Sequence, residues 1–150
     1  AGALLRVRPI WRLMARLLGL DVGDKRIGVA LSDEGQRIAS PHSVYMRVGF
    51  APDTRYFEGL LHETGAQALV VGLPYNMDGT LGEQARKVQA LCQRFVEAGM
   101  QVHYMDERLT TKSAEAALIE GGMRRENRRD TVDKVAAALI LQSWLDSHQP

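Results

Sequence analysis

The 150-residue chain is 45% hydrophobic, enough for one globular domain with a real core, yet no run reaches the roughly 18 apolar residues of a membrane span. Its one cysteine, Cys92, excludes an intramolecular disulfide and a cysteine-based zinc site and favours a reducing compartment, hence a cytoplasmic protein. The net charge of +1 conceals an asymmetry: no acid precedes Asp21, and without Arg6, Arg8 and Arg12 the 19 basic residues fall to 16 against 18 acidic ones. Bulk charge therefore gives no argument for nucleic acid, and any such binding must come from local patches or a metal.

Ala1–Leu13 are rich in arginine, and the arginines interrupt any apolar stretch of the length a secretory signal needs. Residues 1–13 are expected to be an N-terminal extension upstream of a natural start at Met14, with an organellar leader as the other reading. Residues 14–150 are expected to form one domain.

Leu17-Leu18-Gly19-Leu20-Asp21-Val22-Gly23 and Arg26-Ile27-Gly28-Val29-Ala30-Leu31 are apolar, β-like segments around a short Gly-Asp-Lys turn, which predicts a hairpin. Asp21 lies inside the first segment, where a buried carboxylate costs several kcal/mol unless something pairs with it. A divalent cation is the pairing that also does chemistry. The competing reading has Asp21 end its strand and cap the turn. Gly19, Gly23 and Gly28 leave bare backbone around the acid, where a phosphate or an ion could approach.

Arg37–Arg47 alternates loosely around Pro41 and predicts an outer strand. Asp53 is expected to cap a helix that buries Tyr56, Phe57, Leu60 and Leu61 and ends at Gly65. Ala68–Leu73 reads as a strand buried on both faces. After the Pro74–Gly79 loop, Leu81, Ala85, Val88, Cys92 and Phe95 define a helix stopping near Gly99. Gln101–Met105 predicts the last strand, closed by Asp106 and Glu107. Thr110 or Thr111 is expected to cap a short helix through Ile119. A basic loop, Met123–Arg129, then precedes a final helix with Val132, Val135, Ala136, Leu139, Ile140 and Trp144 on one side. Antiparallel strands followed by crossover units imply one mixed sheet with helices packed on it.

Three acids from distant segments, Asp21, Asp106 or Glu107, and Asp133, fall where ligands of open α/β sheets bind. Each has a plain alternative, either a helix-dipole partner or a capping acid. Together they would repel one another unless cations neutralise them. Two Mg²⁺ or Mn²⁺ ions would do so and would suit phosphodiester hydrolysis. Ala136, Ala137 and Ala138 would let the last helix lie close to the sheet. The four histidines show no paired spacing for zinc.

Leu20-Asp21-Val22-Gly23-x-Lys25-Arg26-Ile27-Gly28-Val29-Ala30, Val71-Gly72-Leu73-Pro74-x-Asn76-Met77-Asp78-Gly79-Thr80, Asp106-Glu107-Arg108-Leu109-Thr110-Thr111 and Asp133-x-x-Ala136-Ala137 occur in this order. The set, spanning about Met14 to Asp146, resembles the YqgF (RuvX) family of Holliday-junction-resolvase-like proteins, also described as candidate pre-16S rRNA nucleases. The resemblance implies an α/β, ribonuclease-H-like mixed five-stranded sheet with helices on both faces. It also implies a two-metal nuclease acting on Holliday-junction DNA, on the 5′ end of pre-16S rRNA, or on both. Asp21, Glu107 and Asp133 are the acids it carries over as catalytic residues and metal ligands, with Asp106 as the alternative to Glu107. Asp24 departs from the small residue common at that position.

For the nucleic-acid backbone, phosphate contacts are expected from Lys25, Arg26, Arg108, Lys112 and Lys134. The basic loop would add Arg124, Arg125, Arg128 and Arg129, although most such charge runs are simply solvated. Asn76, Thr80 and the Gly79 amide form a candidate anion-binding turn, and Thr110 lies on a motif end. Few aromatics interleave with these groups, so no base-stacking platform is expected. A monomer or weak homodimer without membrane contact is anticipated. The alternatives are a non-catalytic nucleic-acid or transcription-associated module of the same fold, and a nucleotide-binding relative. The chain is too short for the paired domains of the latter.

Overall fold

A computed structural model describes residues 15–107 and 125–148, with side chains in the last helix described from residue 131. Five strands form one sheet in the order β3-β2-β1-β4-β5. Strands β1 (Arg16–Val22) and β2 (Arg26–Ser32) form the hairpin, closed by Gly23 N–H donating to the Arg26 carbonyl at 2.8 Å. Strand β3 (Ala39–Met46) lies antiparallel on β2, and β4 (Ala66–Leu73) and β5 (Val102–Asp106) continue parallel to β1. The sheet is mixed, as the order of segments predicts.

Pro41 sits on the edge strand. The register slips beside it, from Val29↔Ser43 to Ala30↔Pro41, so His42 is the extra residue of a bulge. Gln142 covers the start of this edge from the last helix: its Oε1 accepts from Ala39 N–H at 2.9 Å, and its Nε2 donates to the Arg37 carbonyl at 2.8 Å.

Helix α1 (Phe50–Thr64) begins three residues before the expected cap, with Gly49 as its N-cap. Asp53 instead sits inside the first turn and reaches back, accepting from Val48 N–H (2.9 Å), Gly49 N–H, Tyr45 Oη (2.8 Å) and Arg47 Nε (3.0 Å). Its carboxylate is fully buried. Gly65, at φ 75°, ends the helix in the left-handed region, which glycine enters without steric cost.

Helix α2 (Glu83–Glu97) buries Ala85, Val88, Leu91, Cys92 and Phe95. Together with α1 it covers one face of the sheet over Leu18, Leu20, Ile27, Val29, Leu69 and Val71. Helix α3 (Arg125–Ser147) covers the other face with Ala137, Ala138, Ile140, Leu141 and Leu145 against Leu17, Ala30, Ala68 and Val70. Helices thus flank both faces. The buried stripe of α3 is turned slightly from the expected one: Val132, Val135 and Leu139 are only half-buried. Arg125, Arg128 and Arg129 belong to the helix's backbone rather than to a loop. The expected short helix from Thr110 to Ile119 lies outside the described residues.

His103 stacks on Trp144 (centroids 4.8 Å apart), and His148 stacks on its other side at 3.6 Å. Both histidines therefore have a packing role. No described helix is long and apolar enough to cross a membrane.

Candidate active site

Alternation along β1 sends Leu18, Leu20 and Val22 into the core under α1 and α2. Gly19 and Asp21 consequently face α3. Asp21 pairs across the hairpin with Gly28 and stands one step beyond the Leu20↔Val71 pair of β1 and β4, level with Gly72. Both glycines are filled by the elements that bring the other acids. A Cβ on Gly28 would collide with the Asp133 backbone carbonyl, and one on Gly72 with the Glu107 carboxylate and Ile140 Cδ1. Gly19 does the same further along, where a Cβ would lie 2.7 Å from Leu141 Cβ and 2.9 Å from the Ala137 carbonyl.

The space expected for a phosphate at Gly19 and Gly28 is therefore occupied by α3. Gly72 had no role in the sequence reading, and its signal was present in the Val71-Gly72-Leu73-Pro74 run. Gly23 serves the hairpin turn.

These contacts bring Asp21, Glu107 and Asp133 together. Asp21 and Glu107 share a hydrogen bond, and Asp133 is close enough for its charge to act on Asp21. Burial, then Asp133, pushes the Asp21 carboxyl up to about 6 against the smaller opposing effect of Glu107. Burial first, followed by Asp21 and then Asp106, pushes Glu107 up to about 8. Both shifts run toward the protonated form, and burial is the larger cause in each. Of the two acids at the end of β5, Glu107 is the one turned to Asp21, while Asp106 is exposed.

Asp21 and Asp133 line a cleft of about 510 Å³ together with Gly23, Asp24, Lys25, Arg26 and Met46. Arg26 is not directed to solvent: its Nε lies 3.3 Å from Asp133 Oδ2. Lys25 is exposed on the turn. Asp24 pairs with Lys87 of α2 at 3.6 Å, so the extra acid ties the hairpin turn to the neighbouring helix. Among the described residues no three acids form a ready-made cation cage. The donor set nevertheless suits a hard divalent cation: Asp21 and Asp133 line the cleft, Glu107 hydrogen-bonds Asp21 beside it, and burial with neighbouring like charge disfavours the ionised forms of Asp21 and Glu107.

The Asn76–Thr80 turn differs from expectation. Gly79 N–H donates to the Asn76 carbonyl (2.8 Å), Thr80 Oγ to Asp78 Oδ1 (2.6 Å), and Asn76 Nδ2 to Thr80 Oγ (3.1 Å). The donors assigned to an anion are spent inside the loop, and α2 starts at Glu83 rather than at Thr80. Asn76 also packs over Gly82, where a Cβ would meet its Oδ1 at 2.7 Å. Arg108, Thr110, Lys112 and Arg124 lie outside the described residues, as do the side chains of Arg125, Arg128 and Arg129.

Comparison with known proteins agrees with this architecture. A sequence model of the RuvX family, described as Holliday junction resolvase, matches residues 15–147. A protein of Moorella thermoacetica named "Putative pre-16S rRNA nuclease" is 46% identical over 132 residues, 87% of this chain and 94% of that protein. One of the same name from Syntrophomonas wolfei subsp. wolfei is 42% identical over 132 residues, with the same two coverages. Among solved structures, Thermus thermophilus RuvC in complex with a Holliday junction substrate superposes with a TM-score of 0.52 at 19% identity, covering 84% of this chain and 91% of that one. The Fowlpox virus resolvase in complex with Holliday junction DNA gives 0.54 at 12% identity, covering 90% and 99%. The fold is that of the RuvC-like, ribonuclease-H-like nucleases, and the chain belongs to the RuvX family.

Proposed function

We propose that this nuclease is a divalent-metal-dependent endonuclease in which Asp21, Glu107 and Asp133 hold Mg²⁺ or Mn²⁺ and carry the reaction. The observation behind this reading is that Asp21 and Asp133 line one cleft beside Gly28, while Glu107, over Gly72, hydrogen-bonds Asp21. When bound, such cations supply an activated water and neutralise charge at the leaving oxygen of a phosphodiester. The chain's own part is to position them. Asp21 is fixed in the middle of the sheet, Asp133 is set by the seating of α3 on Gly28, and Glu107 leans over Gly72.

Lys25, at the mouth of the cleft, is the described basic residue best placed to meet a strand's phosphate. Glu107, in contact with Asp21, is the ligand rather than Asp106. Holliday-junction DNA and the pre-16S rRNA 5′ end are the proposed substrates, drawn from what the relatives' names and the superposed complexes describe. The protein would act in the cytoplasm as a monomer or weak homodimer, with residues 14–150 as its one nuclease domain.

The test is cleavage of a labelled Holliday junction and a labelled precursor rRNA fragment in Mn²⁺, Mg²⁺ or EDTA. Metal-dependent cutting by the wild type, lost by a factor of 100 or more in Asp21→Asn, is expected, since one charged group placed for the transition state commonly contributes about that much. Binding without cleavage, indifferent to Asp21→Asn, would instead make the protein a non-catalytic nucleic-acid module.

A further inference from the structure

The candidate cleft contains a cation that belongs to the chain. Arg26 opens β2 immediately after the hairpin turn, two residues before Gly28, so both face α3. The Asp133 backbone rests on Gly28, and the Asp133 side chain meets the Arg26 guanidinium at 3.3 Å, each side chain about a fifth exposed (22% and 23%). A backbone contact, rather than the reach of two long side chains, sets this ion pair. It occupies the same wall of the cleft as Asp21.

We infer that Arg26 is an internal competitor for the divalent metal: its guanidinium neutralises Asp133 in the metal-free protein and must leave that carboxylate when metal binds. The inference rests on the reading of Asp133 as a metal ligand. It accounts for the lack of a ready-made three-acid cage among the described residues, since Asp133 is engaged by Arg26 while Asp21 and Glu107 are bonded to each other.

It also gives Arg26 a second destination. A guanidinium matches phosphate as well as carboxylate geometry, so a strand entering the cleft would draw Arg26 off Asp133 and favour metal loading. By linkage, metal and nucleic acid would then strengthen each other's binding. The sequence expectation of Arg26 as a phosphate contact and its observed pairing with Asp133 become two positions of one side chain.

The experiment is calorimetric titration of the full-length protein with MnCl₂ in the absence of nucleic acid. It compares the wild type with Arg26→Gln, Arg26→Met, Asp133→Asn and the Arg26→Gln/Asp133→Asn double variant, each checked for folding by circular dichroism. Removing the arginine is expected to tighten Mn²⁺ binding about fivefold or more, in both the polar and the apolar replacement, because a largely buried ion pair no longer has to be broken. Asp133→Asn is expected to weaken binding and to abolish the gain from Arg26→Gln, the mark of a direct coupling. Unchanged or weaker Mn²⁺ binding in both Arg26 variants, with Asp133→Asn still weakening it, would overturn the inference and leave the metal site standing. Asp133→Asn that binds Mn²⁺ as the wild type does would overturn the metal reading, and the inference with it.

Discussion

At the scale of single residues, the site is made by what glycine omits. Gly28 and Gly72 stand on either side of Asp21, and each is bare because another acid-bearing element sits on it. The two predict different phenotypes. At Gly28 the added methyl would strike backbone, which cannot swing aside, so Gly28→Ala should lift α3 and cost about 1–3 kcal/mol of stability together with activity. At Gly72 it would strike the far ends of Glu107 and Ile140, which can move, so Gly72→Ala should lose little stability but much of the cleavage rate. Urea midpoints measured beside cleavage rates distinguish the two, and equal stability losses would contradict the account.

Asp21, Asp133 and the acids closing β5 were legible in the sequence, because carboxylates at element ends are out of place in apolar segments. The orientation of Glu107 rather than Asp106 toward Asp21 was not legible from spacing, and only the family resemblance leaned to Glu107. That orientation depends on which way the chain turns after β5, and that is set by the space above Gly72 rather than by spacing. The ties of Arg26 to Asp133 and of Asp24 to Lys87 were hidden for the same reason: each joins segments far apart in the chain.

At the scale of elements, the hairpin wall of the cleft is braced from the side away from the acids. Arg47 donates from its Nη1 to the Gly23 carbonyl (3.1 Å) and from its backbone N–H to the Lys25 carbonyl (2.8 Å), and its Nε is held by Asp53. Tyr45, which also donates to Asp53, stacks on Tyr56 at 4.0 Å and fastens β3 to α1. Asp53 reads in the sequence as a simple cap, and the element boundary was displaced because Pro52 is tolerated within a first helical turn.

Burial acts to raise the Asp53 pKa, but hydrogen bonds from Val48, Tyr45, Arg47 and Gly49 outweigh it, and the net shift is downward. A lowered carboxylate pKa adds stability that is fully present above the unfolded value near 3.9 and is lost as pH falls through the folded one. Asp53→Asn should therefore cost about 2–4 kcal/mol at pH 7, since it breaks a buried charged pair from one side. The deficit should shrink on acidification below pH 4. Chemical denaturation at pH 7 and pH 3 checks both, and a pH-independent deficit would count against the network.

At the scale of the whole molecule, one end of the sheet holds buried acids whose ionised forms are disfavoured, first by burial and then by neighbouring charge, a cost that a bound cation would relieve. The Asp21 and Glu107 carboxyls are raised to about 6 and about 8, so their sign is opposite to that of Asp53. From the unfolded carboxylate range near pH 4 up to those values, the folded protein keeps protons that the unfolded chain has released. Its stability should therefore fall as pH rises through that window. Thermal melts in EDTA should show a lower midpoint at pH 8.5 than at pH 5.5, with a shallower fall in Glu107→Gln and recovery on adding Mn²⁺ at the higher pH. A midpoint indifferent to pH in EDTA, or to Glu107→Gln, would mean that the acids do not strain the fold.

The overall architecture was readable because hairpin, edge strand and crossover units follow one another in a pattern with few topological solutions. The close approach of α3 was readable from Ala136, Ala137 and Ala138, but where it seats was not, because the glycines that receive the helix lie on β1 and β2, far away in the chain.

Everything proposed for the cleft depends on Asp21, Glu107 and Asp133 binding divalent metal. Crystals soaked in MnCl₂ and measured for anomalous scattering test it most directly. The account predicts density between Asp21, Glu107 and Asp133, with two ions roughly 3.5–4 Å apart when nucleic acid is present. Manganese on Asp106, Asp24 or Glu83 with none at Asp21 would contradict it.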